Sequence, residues 1–172
     1  MIDYRNSLVK FYCSEYDLYI DILDNVIQKM KYHIENESNL EAGGFLTGYK
    51  VKDKNCIVID DLSIPEKDDF RSKFSFIRKS KMHIKKMLRI KEKQSFCIGN
   101  WHTHPFASIP HPSTIDINTW KSELHECRSS FGYQIFIICA NKGFKIWIGK
   151  ENQNDFYQLF ECEQENGIYK RR

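Results

Sequence analysis

Hydrophobic and polar positions along the 172-residue chain repeat with two different periods. Residues 8–13 (Leu-Val-Lys-Phe-Tyr-Cys) read as a short strand. Ser14 then offers an N-cap, and apolar residues follow at 18, 22, 23, 26, 27, 30 and 34. That spacing predicts an amphipathic helix over 15–34 with one buried stripe. Residues 43–51 and 55–63 read as strands, the first despite three glycines, which in a strand mark a bulge or a close approach. A turn at 65–69 and a short strand at 74–78 come next. Ser80 is placed to cap a helix over 81–92, whose apolar side would hold Met82, Ile84, Met87, Leu88 and Ile90. Residues 95–102 form a strong strand, stopped by a Pro-rich loop at 105–112. A helix starts at Ser113 or Thr114 and runs to about 127. Two apolar strands, 133–140 and 144–148, flank the hairpin signal Asn141-Lys142-Gly143, and 155–162 adds an edge strand. This order predicts an α/β (α+β) fold: a mixed or mostly antiparallel sheet with helices packed on it.

No repeat, linker or composition break divides the chain, so residues 1–172 read as a single domain with its core at about 8–162. Eight glycines and four prolines are too few for a low-complexity chain, and 14% aromatic residues argue against disorder. No apolar run approaches the ~20 residues of a membrane helix. Met1-Ile2-Asp3-Tyr4-Arg5 does not begin a secretory signal, so the expected location is cytoplasmic. Cysteines at 13, 56, 97, 127, 139 and 162 form no C-x-x-C, which points to reduced thiols rather than disulfides or a cysteine zinc site. The net charge of +3 is uneven: Arg71 to Lys93 holds ten Lys or Arg and one acid, a net of +9 against −6 elsewhere. Such a stretch is either a solvated helix face or a surface for an anionic partner; charge alone does not make it a nucleic-acid site.

The chemistry concentrates in residues 99–116. His102 and His104 stand two apart at a strand end, where alternation sends both imidazoles to one face. Asp116 falls in the first turn of the next helix if Ser113 caps it. Two histidines and a carboxylate form a catalytic zinc set with a fourth position open. Taken singly, Ser113 is an N-cap, Asp116 a first-turn acid and His111 an exposed loop residue. Trp101 points away from His102 into the core; Trp147 belongs to the core as well, and Trp120 either packs there or walls the site.

His-Thr-His-Pro at 102–105, followed by Pro112-Ser113 and Asp116, resembles the metal motif of the JAB/MPN (JAMM) metalloproteases. The preceding Glu41-Ala42-Gly43-Gly44-Phe45-Leu46-Thr47-Gly48 resembles that family's upstream E-x-G-G-x-L-x-G. The resemblance implies a curled sheet between helices and a zinc-dependent isopeptidase or peptidase. It implies that His102, His104 and Asp116 bind one zinc ion per chain. Glu41 would hold the catalytic water and shuttle its proton, and Ser113 would donate to the oxyanion. Residues 105–112 number eight where the family usually has seven, an insertion a loop can bulge to absorb. The phrasing is most similar to prokaryotic stand-alone deconjugases of CBASS anti-phage and bacterial ubiquitin-like conjugation operons. The implied substrate is a ubiquitin-like modifier or a C-terminally conjugated protein, and the implied partners are E1/E2-like enzymes of the same operon. Segment 62–78 is a candidate edge for pairing with the substrate tail. Two alternatives stay open: a sulfur-carrier-processing peptidase, and a nucleic-acid-associated member using 71–93.

Overall fold

The computed structural model describes residues 9–37, 39–91, 94–126, 129–165 and 168–171. Its elements are β1 (Val9–Cys13), β2 (Leu18–Ile22), α1 (Asp24–Asn36), β3 (Gly43–Lys50), β4 (Cys56–Leu62), β5 (Phe70–Arg71) and β6 (Phe76–Ile77). There follow α2 (Lys81–Lys91), β7 (Phe96–Thr103), α3 (Thr114–Glu126), β8 (Tyr133–Ala140), β9 (Gly143–Lys150), β10 (Phe156–Gln158), β11 (Phe160–Glu165) and β12 (Ile168–Arg171). Ten strands form one sheet in the order β10-β9-β8-β7-β3-β4-β2-β1-β11-β12. Among the described residues only the β2–β4 and β7–β8 neighbours are parallel, so the sheet is mixed and mostly antiparallel, as the pattern predicts.

The strand order requires curvature. β10 and β11 are separated by Leu159 alone, yet β10 pairs with β9 at one end and β11 with β1 beyond the other. In a flat sheet they would lie eight spacings apart, about 38 Å. One residue spans no more than about 3.6 Å. The sheet therefore curls until those two strands meet, and the enclosed side chains form the main core. Strand β8 divides its residues between the two faces. Ile135, Ile137 and Cys139 join the core with Val26 and Met30 of α1. Phe136 and Ile138 join Trp120 and Leu124 of α3 on the opposite face, where Trp120 stacks on Phe136 at 4.6 Å.

Two sequence expectations fail here. The helix over 15–34 begins only at Asp24, and residues 18–22 are a strand paired with β1. Leu18, Ile20 and Ile22 are all buried, a period-2 pattern inside a run that also satisfies helical spacing. Ser14 caps nothing: it lies in the hairpin turn, where its carbonyl accepts from Asp17 N–H and Asp17 takes a positive φ of 46°. The second failure is the apolar side of α2. Met82, Ile84 and Leu88 are exposed, and the helix buries His83 instead. His83 Nδ1 lies 3.0 Å from Ser63 Oγ and its Nε2 lies 2.7 Å from Asp69 Oδ2, so a polar network holds this helix down. Smaller differences concern the ends: β10 and β11 divide the 155–162 strand, and a further strand, β12, follows them. Of the cysteines, 13, 56 and 139 are buried thiols, and Cys127 lies outside the described residues. No described helix is long and apolar enough to cross a membrane.

Candidate metal centre

The site is built by the register between β3 and β7. Gly43 lies opposite His102, and the ladder continues one step beyond the strand through Thr103 N–H to the Ala42 carbonyl. Ala42 N–H in turn donates to Thr103 Oγ1 at 2.8 Å. Continuing that register sets Glu41 opposite His104, on the same face of the sheet. A bulge decides which face that is. Leu46 pairs with Gly99 but Thr47 with Cys97, so Ile98 is an extra residue in β7. Without it, Ile98 and Trp101 would face opposite ways. With it, both enter the main core, and Asn100 and His102 turn towards α3.

His102 Nε2 and His104 Nε2 approach to 2.9 Å. Asp116 Oδ1 lies 3.1 Å from the first and Oδ2 3.4 Å from the second. All three donor groups fall within 4.8 Å of one another. The donor set is the one a catalytic zinc takes, so the residues fit that ion. Asp116 reaches this position because Ser113 caps α3 reciprocally: Ser113 N–H donates to Asp116 Oδ2, and Asp116 N–H donates to Ser113 Oγ. The Pro105–Pro112 loop is tied to the β8–β9 turn, where Asn141 and Lys142 N–H donate to the Ala107 and Ser108 carbonyls. His111 is exposed, and its backbone favours the charged form of the His104 ring.

The electrostatics follow from burial among these charges. Burial pushes the Glu41 carboxyl up to about 7; His104 opposes this and Asp116 adds to it. Burial also works against a charged His104, but the Asp116 carboxylate outweighs it and holds the ring's pKa above the usual value. Asp116, despite its own desolvation, is held far below the ordinary carboxylate range by the two histidines and Ser113.

These groups line one cavity of about 840 Å³. One wall is α3 with the 105–107 loop. The other is an arm made of the β5–β6 hairpin, which pairs Phe70 with Ile77 and Arg71 with Phe76. The arm explains Gly43: a Cβ there would lie 2.6 Å from Phe76 Cδ1 and 2.7 Å from the Trp101 carbonyl. Trp101 is buried in the core, its indole N–H donating to the Ser63 carbonyl, and Trp120 is both core and cavity wall. The sequence reading misses a polar group in the same cavity. Asn100, two residues before His102, donates to Glu123, which also meets Arg78 at 3.5 Å. Spacing along β7 is the available signal for Asn100; nothing local marks Arg78 or Glu123.

The basic stretch divides. Arg71, Arg78 and Lys86 pair with Glu37, Glu123 and Asp61. Lys81, Lys85 and Arg89 are exposed along α2.

No curated protein sequence matches the chain. The solution structure of a protein from Desulfitobacterium hafniense resembles it with a TM-score of 0.57 at 15% identity, over 80% of this chain and 87% of that one. One from Salinibacter ruber gives 0.47 at 14% identity, over 80% and 86%. Residues 23–160 match the prokaryotic homologs of the JAB domain. That match spans most of the sequence and includes Glu41, His102, His104, Ser113 and Asp116, and with it the chain is shown to belong to the prokaryotic JAB-domain family.

Proposed function

We propose that this JAB-family protein is a zinc-dependent isopeptidase or peptidase that releases a ubiquitin-like modifier, or another protein joined through its C-terminus, from its target. The observation that carries this reading is the convergence of His102, His104 and Asp116 in one cavity with a buried carboxyl, Glu41, whose pKa lies near 7. The two imidazoles and Asp116 would hold one zinc ion per chain. When bound there, zinc supplies Lewis-acid chemistry, lowering the pKa of water from 15.7 towards about 7.

The chain's own groups do the rest. Glu41 takes a proton from the attacking water on a carboxylate oxygen and returns it to the leaving amine. A pKa near the working pH suits a group that must do both. Ser113 Oγ already accepts from Asp116 N–H, which leaves its own O–H proton to donate to the developing oxyanion. One such donor contributes about 3 kcal/mol in the transition state. A substrate tail entering the cavity runs between the arm and α3, and β-strand addition along the arm holds it extended. Association with an anti-phage or other ubiquitin-like conjugation system, and with its E1/E2-like enzymes, belongs to the same proposal.

The test uses ubiquitin fused at its C-terminus to a fluorescent protein, and lysine-linked diubiquitin. Purified protein should hold about one zinc per chain and cleave at the modifier's C-terminus. Glu41→Ala should retain zinc and lose turnover; His104→Ala should lose both. Full turnover in Glu41→Ala, or zinc retained when both histidines are replaced, would overturn the assignment.

A further inference from the structure

Glu41 is not held by the sheet alone. Its own N–H donates to the Ser72 carbonyl at 2.8 Å, and its carbonyl accepts from Arg71 Nε at 2.8 Å. Both partners belong to the arm, so the arm grips the Glu41 peptide from each side. The Arg71 guanidinium is aimed in turn by Glu37 at the end of α1, whose Oε2 accepts from Nη2 at 2.5 Å. Glu37 lies 3.0 Å from Nδ1 of His33, which is buried against the Trp101 ring. Desolvation works against the Glu37 charge, but His33 and Arg71 outweigh it and keep the group ionised. At its base the arm is closed by Asp69, which accepts from the N–H groups of Glu66, Lys79 and Ser80 and from His83. A planar fork is needed at position 71, because one arm of it meets a backbone carbonyl and the other a carboxylate.

We propose that Arg71 is a positioning residue for Glu41: the Glu37–Arg71 pair and the Ser72 carbonyl together fix the Glu41 peptide, and so set where its carboxylate stands relative to His104. This rests on the reading of Glu41 as the proton carrier. It makes the arm part of the catalytic alignment as well as a wall of the cavity.

The experiment compares the zinc-loaded wild-type chain with Arg71→Ala, Arg71→Lys and Glu37→Ala. Amide hydrogen exchange and steady-state kinetics on the ubiquitin fusion are measured for each. In Arg71→Ala, exchange at the Glu41 amide should quicken about tenfold or more, while amides within β3 stay protected. The kcat should fall by up to about a hundredfold, the loss expected for an ångström-scale misplacement, with KM and zinc content unchanged. Arg71→Lys should recover only part of the loss, since an ammonium cannot make both contacts. Glu37→Ala leaves the arm's own residues intact and should show the same effects more weakly, which keeps the test open if Arg71→Ala folds poorly. Unchanged exchange at Glu41, or a loss that appears in KM with kcat preserved, would overturn the proposal. If the wild-type chain cleaves neither probe, the proposed function fails, and the exchange ratio by itself decides whether Arg71 holds Glu41.

Discussion

At the residue scale, the three candidate metal ligands and Glu41, the carboxyl proposed to carry the proton, share one electrostatic problem. Asp116 favours a charged His104, and burial favours a neutral Glu41 carboxyl, so both groups keep their protons to higher pH in the folded metal-free protein than they would in the unfolded chain. The sign is the same for both. Each contributes stability that is present below its unfolded pKa, about 6.5 for histidine and about 4.3 for glutamate, and that is lost as pH rises through the folded value. For Glu41 that window closes at about 7. Zinc requires a neutral His104, so loading releases a proton and is opposed by acid. The melting temperature of the metal-free protein should therefore fall on going from about pH 5 to about pH 8, while the increment given by zinc grows over the same range. Differential scanning calorimetry with and without zinc measures both; a zinc increment that is flat with pH would count against this coupling. Much of this scale was legible in advance. The H-x-H spacing, Ser113 as cap and Asp116 in the first turn all follow from local geometry. The charge balance at Glu41 did not, because it depends on His104 and on burial by residues about sixty positions away.

At the scale of elements, the bulge at Ile98–Gly99 decides which way the second half of β7 faces. Gly99 has φ 152°, and a Cβ added there would stand 1.8 Å from the Ile135 carbonyl. A side chain at this point must push β7 from β8 or remove the bulge. Removing it would exchange the faces of Trp101 and His102. Gly99→Ala should therefore lower stability by about 3 kcal/mol or more, about 6–12 °C in Tm for a chain of this size, and should weaken zinc binding although no ligand is altered. Thermal melts and zinc titration of the variant test this. The helical stripe from Val26 to Ile34 was readable, because one face of α1 enters the core. The start of α1 was not, since Leu18 and Ile22 fit both the helical and the strand period, and only pairing with β1 and β4 selects the strand. Helix α2 misled for the opposite reason. Its buried side is polar, and the partners of His83 come from Ser63 and Asp69 outside the helix.

At the scale of the whole molecule, the curled sheet brings three separate stretches to one cavity: the end of the α1–β3 connection, the arm, and the β7–α3 connection. The arm reaches the cavity because Asp69 closes its base and Phe76 sits where Gly43 has no side chain. Across the opening, Phe74 of the arm and Phe106 of the opposite loop bring their rings to 6.1 Å. Replacing Phe74, the exposed ring at the arm's tip, by serine leaves the backbone bonds that tie Ser72 to Ser75 in place, and should raise KM for the ubiquitin fusion by about tenfold, the effect of losing roughly 1.4 kcal/mol of uniform binding. Zinc content should not change. An unaltered KM would remove the arm's tip from substrate recognition.

By itself the sequence determined the alternation of strands and helices, the mixed sheet with helices packed on it, and the residue types of the candidate centre. These are local properties: periodicity, capping and the two-residue spacing of His102 and His104 are written within a few positions of each other. Only the tertiary structure decided the closure of the sheet, the face on which His102 emerges, the pairing that sets Glu41 opposite His104, and the grip of Arg71 on Glu41. Each of these depends on register between strands far apart in the chain. Register is fixed by what the whole core buries, and no short stretch of sequence carries that information.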